Sequence, residues 1–118
     1  MEAFKNKVEF KKRVSEVNRV RNKYENRVPI YLSKGKLNKT MEEYDKKKYL
    51  AHEDMKLILF IDTVKRNFKL QSEQALYLMV NDKTLINGTT TIGSLYEKYK
   101  DEDGFLYISY YEENAFGF

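Results

Sequence analysis

The chain has no cysteine, one histidine, one proline and five glycines among its 118 residues. Without cysteine it can have neither a disulfide framework nor thiolate chemistry, which favours a cytosolic or nuclear protein. The glycines form no phosphate-binding loop, and His52 has no nucleophile motif beside it that would make a catalytic triad. The acidic stretch 100–103 lacks the spacing of a metal site. We therefore expect a binding or tagging module that is not an enzyme and carries no metal or cofactor.

Long hydrophobic runs are also absent. No apolar stretch approaches the ~20 residues of a membrane-spanning helix, and the first residues lack the apolar segment of a secretory signal. Even so, 42% of the residues are hydrophobic and 14% are aromatic, which is enough to build a packed core. The length predicts a single domain over residues 1–118.

The two parts of the chain differ in charge. Residues 1–48 hold 15 Lys and Arg against 7 Asp and Glu, whereas residues 49–118 hold 7 against 11. A basic N-terminal part is compatible with nucleic acid, anionic lipid or acidic peptides as partners, and equally with a solvated basic surface. No pattern of an RNA-binding sheet is present, so we expect no nucleic-acid partner.

Apolar spacing predicts an α+β protein with helices on both faces of one sheet. The predicted helices span residues 3–8, 10–24, 55–68 and 92–99, and the predicted strands span 27–33, 46–51, 75–80, 84–87 and 104–111. The strands at 75–80 and 104–111 are apolar at nearly every position, so we expect both of their faces to be covered.

The predicted helix 10–24 is amphipathic. Its apolar stripe comprises Phe10, Val14, Val17, Val20 and Tyr24, and its basic residues lie outside that stripe: Lys11, Lys12, Arg13, Arg19, Arg21 and Lys23. Asp54 is the expected N-cap of the helix at 55–68. Pro29, which has no N–H to donate, must face an unpaired or irregular position in its strand.

Five segments together carry a resemblance that extends from about Phe4 to Gly117. They read FKKRVSEVNRVRNKYENRVPIYL, DKKKYLAHEDM, LYLMVND, LYEKYKDEDGFLYISY and ENAFGF. In this order and spacing they resemble the ubiquitin-like modifiers of autophagy, the family of GABA-receptor-associated proteins and microtubule-associated light chains. The resemblance implies a ubiquitin-like β-grasp core at 26–111, an N-terminal helical extension at 1–25 and a flexible tail at 112–118.

The resemblance also explains a glycine between two aromatic residues at the end of the chain. In this family a cysteine protease removes any residues beyond the terminal glycine, and activating and conjugating enzymes join that glycine to phosphatidylethanolamine. Here the lipid attachment and cleavage site would comprise Phe116, Gly117 and Phe118. The alternative from the residues alone is that both aromatic rings pack against the body of the protein.

Partner recognition is expected at strand 46–51. Alternation places Lys46, Lys48 and Leu50 on one face of this strand, which could accept an extended peptide at its edge. The family's ligands carry an aromatic anchor and an aliphatic anchor three residues later. Because an offset of three is odd, the two anchors point to opposite faces of an extended peptide.

The resemblance implies two pockets and a basic flank that together bind this motif. The aromatic pocket would comprise Glu16, Val20, Pro29, Tyr31, Lys48, Leu50 and Phe105. The aliphatic pocket would comprise Tyr49, Ala51, His52, Met55, Phe60, Thr63 and Val64. Acidic residues of the ligand would pair with Arg27, Lys46 and Lys48. Departures from the family pattern occur at Tyr31, His52, Thr63 and Asn67.

The leading hypothesis is therefore a lipid-conjugated modifier of autophagic membranes, located in the cytoplasm and, when lipidated, on autophagosomal or vacuolar membranes. Its expected partners are the processing protease, the conjugating enzymes, cargo receptors and adaptors with short linear motifs, and the phosphatidylethanolamine membrane. The alternative is a non-conjugated scaffold that binds tubulin or trafficking proteins through its basic N-terminal helix.

Overall fold

A computed structural model describes residues 1–36, 43–71, 73–81 and 84–112. The elements in chain order are α1 (Glu2–Lys7), α2 (Phe10–Lys23), β1 (Arg27–Lys34), β2 (Lys48–His52), α3 (Leu57–Asn67), β3 (Leu76–Val80), β4 (Thr84–Leu85), α4 (Ile92–Tyr99) and β5 (Leu106–Glu112). The predicted order of helices and strands is confirmed, with boundaries that differ by up to two residues.

The five strands form one mixed sheet in the order β2-β1-β5-β3-β4. The central strands β1 and β5 are parallel, and every other pair is antiparallel. The predicted α+β class is therefore confirmed. Within the described part of the chain, β2 is an edge strand, so one side of its backbone is free of strand partners.

Helices cover the two faces of the sheet unequally. The larger core lies under α3 and includes Leu57, Phe60 and Val64. The smaller core joins α1 and α2 to β1 and β5 and consists of Phe4, Val17, Tyr31, Phe105 and Tyr107. Along β3, buried and partly buried residues alternate. The expectation that β3 is covered on both faces is therefore wrong, because the core beneath the N-terminal helices reaches no further than β1 and β5.

The position of Pro29 agrees with the expectation for a residue without an N–H. Leu32 N donates to Lys47 O at 2.7 Å, so these two residues form a hydrogen-bonded pair of the antiparallel ladder. Hydrogen-bonded and non-hydrogen-bonded pairs alternate along such a ladder, and Pro29–Leu50 is therefore a non-hydrogen-bonded pair. On the other side, the ladder with β5 begins only at Ile30. The proline therefore interrupts neither ladder.

Helix α3 begins later than predicted, at Leu57, and Asp54 is not its N-cap. The N-cap residue is Lys56, whose side chain makes no capping hydrogen bond. Instead, Leu57 N donates to Thr90 O at 2.8 Å and Ile58 N donates to Gly88 O at 3.0 Å. Backbone carbonyls from a distant loop satisfy the first N–H groups, so a side-chain cap is unnecessary.

Arg13 departs from the predicted pattern most clearly. It lies outside the apolar stripe of α2, yet only 7% of its surface is exposed, whereas Phe10 and Tyr24 within that stripe are 47% and 43% exposed. Arg13 Nε donates to Asp103 Oδ2 at 2.8 Å. From the sequence alone, an arginine in a basic helix is expected to be exposed to solvent. Its burial here depends on Asp103, which lies 90 residues away in the chain.

Hydrogen bonds complete the surroundings of this ion pair. Arg13 Nη1 donates to the carbonyls of Val8 and Lys5. Asp103 accepts from Phe105 N at 2.8 Å and from the Tyr107 hydroxyl at 2.5 Å. Burial, together with the neighbouring Asp103 carboxylate, holds the pKa of Tyr107 well above its usual value, so the phenol stays protonated as a donor.

Substitution of Asp103 by Asn should strongly destabilise the fold, because it leaves the Arg13 charge buried without a counter-charge. We expect the free energy of unfolding to fall by about 3 kcal/mol in urea titrations. Glu102→Gln, at an exposed neighbouring position, is the control and should change it by less than about 0.5 kcal/mol. Equal effects of the two substitutions would contradict the importance of the buried pair.

A second ion pair should make stability depend on acid pH. Lys5 Nζ lies 2.6 Å from Asp101 Oδ1. Burial alone would raise the pKa of Asp101, but the hydrogen bond and charge of Lys5 and the Asp103 backbone N–H together lower it below the usual 3.8. A lowered folded-state pKa stabilises the protein above pH 3.8, and this contribution is lost as the pH falls further.

The stability difference between the wild type and Asp101→Asn should therefore be constant at neutral pH and shrink below pH 3.8. Lys5→Met should show the same trend, since it removes the other partner. Thermal unfolding across a pH series measures both. A difference that grows toward acid pH would contradict this sign.

Candidate functional site

A cavity of about 460 Å³ lies where α2 passes over β1 and the edge strand β2. Its lining combines apolar side chains at the base with charged side chains at the rim. The lining residues are Glu16, Val17, Val20, Pro29, Lys46, Lys48, Tyr49, Leu50 and Phe105. Such a concave, largely apolar surface beside an open sheet edge can take up a side chain of a strand that pairs with β2.

The cavity contains most of the residues implied for the aromatic pocket. Six of those seven line it, all except Tyr31, and Lys46 of the expected basic flank lines it too. Val17 and Tyr49 also line the cavity but are not among the residues implied for this pocket. Val17 lies on the predicted apolar stripe of α2, one turn from Val20, and that spacing could have identified it.

Tyr31 lies beneath α1 rather than in the cavity lining. It is 8% exposed, and its ring stacks on Phe4 with centroids 4.2 Å apart and planes inclined by 15°. Tyr31 shares this small aromatic cluster with Phe105, which does reach the cavity. The bulk of Tyr31 is thus accommodated by the N-terminal helix, and the expected contact of Tyr31 with the pocket is not present in this structure.

The charged rim is partly neutralised. Lys48 Nζ lies 2.9 Å and 3.1 Å from the two carboxylate oxygens of Glu16. The same ammonium lies 5.1 Å from the centre of the Phe4 ring, and Lys46 Nζ lies 5.0 Å from that of Tyr49. An acidic ligand could replace Glu16 as the partner of Lys48, because both side chains of this pair remain partly exposed.

Arg27, the third expected cation, lies at the other end of the strand pair. It is opposite His52, whereas Lys48 is opposite Tyr31, four residues further along β1. That separation is about 13 Å along a strand. Arg27 therefore forms no cluster with Lys48 and would meet a different part of an extended ligand.

Most residues implied for the aliphatic pocket lie on the opposite face of β2 from Lys48 and Leu50, whereas alternation places His52 on the same face as those two. Tyr49, Ala51, Phe60 and Val64 belong to the core under α3, and each is at most 8% exposed. The Tyr49 and Phe60 rings meet edge to face with centroids 5.4 Å apart. Burial raises the pKa of Tyr49 above its usual value, although the hydrogen bond from Asn67 opposes that shift.

The polar and flexible members of the same set remain partly exposed. These are His52, Met55 and Thr63. His52 Nδ1 accepts a hydrogen bond from Asp54 N at 3.1 Å, and the Thr63 hydroxyl donates to Leu59 O within its own helix. The aliphatic side chain of a bound peptide would have to rest on His52, Met55 and Thr63 or displace them. The surface expected to bind it is therefore less open than the cavity beside β2.

The predicted cleavage and attachment site, Phe116, Gly117 and Phe118, lies outside the described residues. Within the described ranges, no helix is long and apolar enough to cross a bilayer. In those same ranges, no three His, Cys, Asp or Glu side chains are grouped so that they could hold a metal ion.

Comparison with known proteins places the fold and the cavity in context. The family described as "Autophagy protein Atg8 ubiquitin like" matches residues 12–117. Autophagy-related protein 8 of Mycosarcoma maydis is 40% identical over 115 residues, covering 98% of this chain and 96% of the relative. The Kluyveromyces lactis protein of the same name is 38% identical, covering 98% of this chain and 91% of the relative.

The fold is also similar to that of a solved structure. The crystal structure of Trypanosoma brucei ATG8 matches with a TM-score of 0.87 and 34% sequence identity, over 93% of both chains. The expected ubiquitin-like fold with added N-terminal helices is therefore confirmed. Family match, full-length relatives and fold agree, and the chain belongs to the Atg8 family of ubiquitin-like autophagy proteins.

Proposed function

We propose that this protein is cleaved after Gly117 and conjugated through that glycine to phosphatidylethanolamine on autophagic membranes. There it recruits receptors and adaptors that carry an aromatic residue followed three positions later by an aliphatic one. It acts as a modifier, and the thiol chemistry belongs to the processing protease and to the activating and conjugating enzymes.

The proposed recognition of receptors rests mainly on the cavity beside the edge strand β2. A peptide pairing with β2 would gain main-chain hydrogen bonds along Lys48–His52. Its aromatic anchor would enter the cavity between Val20, Leu50 and Phe105. Its aliphatic anchor would point to the opposite face, toward Met55 and the core under α3.

The basic rim supports a preference for acidic ligands. Lys46 and Lys48 border the cavity, and their side chains could pair with carboxylates beside the aromatic anchor. Exposed pairs of this kind contribute about 0.2–1 kcal/mol each, so they select and orient the ligand more than they hold it.

Family membership and the C-terminal sequence support the conjugation part. The family match extends through Gly117 and leaves only Phe118 beyond it. A glycine at this position suits a chain that must thread a narrow enzyme cleft, because it has no Cβ and adopts conformations that other residues resist.

Cleavage and conjugation can be tested by intact mass after exposure to an Atg8-processing protease and then to the conjugating enzymes with vesicles. The wild type should lose one phenylalanine residue and then gain one phosphatidylethanolamine. Gly117→Ala should do neither, while keeping its affinity for motif peptides. An unchanged mass of the wild type would contradict the proposal and favour the non-conjugated scaffold.

Recognition can be tested by truncating one wall of the cavity. Leu50→Ala should weaken binding of an acidic aromatic-x-x-aliphatic peptide about tenfold, because the aromatic anchor loses its apolar contact. Fluorescence anisotropy with a labelled peptide measures the dissociation constant. Leu85→Ala removes an equally large exposed side chain outside the cavity and should leave affinity unchanged. Equal losses from both variants would exclude the cavity as the binding site.

A further inference from the structure

Arg27 and His52 lie side by side at the end of the β1–β2 ladder. Two positions along from Pro29–Leu50, they form another non-hydrogen-bonded pair, the kind whose Cα atoms are about 4.5 Å apart. Both side chains therefore project from the same face of the sheet as Leu50, the face on which the cavity opens. Arg27 is exposed, and the His52 side chain is 41% exposed.

Both side chains have hydrogen-bond donors to offer to a ligand. Arg27 takes part in no ion pair within residues 1–36, 43–71, 73–81 and 84–112. His52 Nδ1 accepts from Asp54 N at 3.1 Å, so the neutral ring carries its proton on Nε2. The Asp54 carboxylate lies 3.7 Å from Nδ1 and thus approaches the ring at the other nitrogen. A guanidinium beside an imidazole N–H is a pair of donors that suits a carboxylate.

The direction of a bound peptide follows from the positions of the two anchor sites. The cavity for the aromatic anchor borders Lys48 and Leu50. The partly exposed residues expected to meet the aliphatic anchor include His52 and Met55, which come later in the chain. A peptide whose aromatic residue precedes its aliphatic residue therefore runs parallel to β2.

The register of the peptide follows from the backbone of β2. Lys48, Leu50 and His52 belong to non-hydrogen-bonded pairs with β1, so their backbone N–H and C=O groups point away from β1. An aliphatic anchor beside Ala51 has its side chain on the α3 face and its backbone next to those groups. The aromatic anchor, three residues earlier, is then beside Lys48 at the cavity. The residue that follows the aliphatic anchor is beside His52.

We propose that Arg27 and His52 together bind the carboxylate of an acidic residue that directly follows the aliphatic anchor of the ligand. This inference rests on the proposed recognition of aromatic-x-x-aliphatic motifs and extends that motif by one acidic position. The acidic residue comes four residues after the aromatic anchor, an even offset, so its side chain projects to the same face as the cavity. The next residue of the peptide projects to the opposite face.

An acidic residue at this position binds with less competition than one beside the aromatic anchor. Lys48 Nζ is already 2.9 Å from a Glu16 carboxylate oxygen, so an acid that pairs with Lys48 has to displace Glu16. Arg27 has no ion-pair partner to be displaced among the residues that the structure describes. The acid after the aliphatic anchor should therefore add more affinity than an acid before the aromatic anchor.

Labelled peptides of the pattern Trp-Ala-Ala-Leu-Glu test this position by fluorescence anisotropy. The wild-type protein should bind the peptide with Glu after Leu about threefold more tightly than the same peptide with Gln, as expected for an exposed charge pair. Moving the Glu one residue further should remove this gain, because the side chain then projects away from Arg27. Raising the salt concentration should reduce the gain.

Variants of the protein separate the local contact from net charge. Arg27→Gln should abolish the difference between the Glu and Gln peptides, and His52→Ala should reduce it. Lys98→Gln is the matched control, because it removes the same unit of charge from an exposed position on α4, beside β4 at the opposite edge of the sheet. It should keep the full difference. Unfolding midpoints equal to that of the wild type would show that all three variants are folded.

The outcomes distinguish this inference from the proposed function. Equal affinities of the wild type for the Glu and Gln peptides would overturn the inference while leaving the proposed recognition intact. A gain that persists when the Glu is moved, or an equal loss from Arg27→Gln and Lys98→Gln, would also overturn it, because net charge alone would then explain the result. Failure of all the peptides to bind would contradict the proposed recognition, and this inference with it.

Discussion

The buried ion pair between Arg13 and Asp103 is the contact on which the arrangement of this protein depends. It joins α2 to the turn that precedes β5, and the Tyr107 hydroxyl and backbone groups satisfy the remaining hydrogen-bonding positions. Such a pair adds little net stability over a well-packed apolar contact, but breaking it is costly. Its effect is to fix where α2 lies, and the cavity exists because α2 lies there.

The two faces of the sheet differ in what covers them. One face carries α3, and the other carries α1, α2 and the cavity. Among the strands that the structure describes, β2 is at the edge, with one side of its backbone unpaired between the two faces. A peptide at this edge could reach both sides at once, which a binding site on either face alone could not achieve.

Much of this architecture was predictable from residue patterns. Periods of about 3.6 and of two located the helices and strands, and the alternation in β2 placed Lys48 and Leu50 apart from Tyr49 and Ala51. The resemblance named eight of the nine residues that line the cavity, six of them for the aromatic pocket, whereas the stripe of α2 alone indicated only that Val17 and Val20 would be apolar contacts. The departures at Arg13, Asp54 and Tyr31 share a cause, since each depends on a partner distant in sequence.

The sequence by itself determined the α+β class, the order of elements, the family and the glycine at position 117, because these depend on local periodicity and contiguous motifs. Only the tertiary structure decided that Arg13 is buried, that carbonyls of residues 88 and 90 satisfy the start of α3, and that Phe4 covers Tyr31. It also decided that a cavity opens beside β2, while Tyr49, Ala51, Phe60 and Val64 are buried in the core on the other face. The physical reason is that burial and hydrogen-bond satisfaction depend on which distant groups meet, and local sequence patterns do not carry that information.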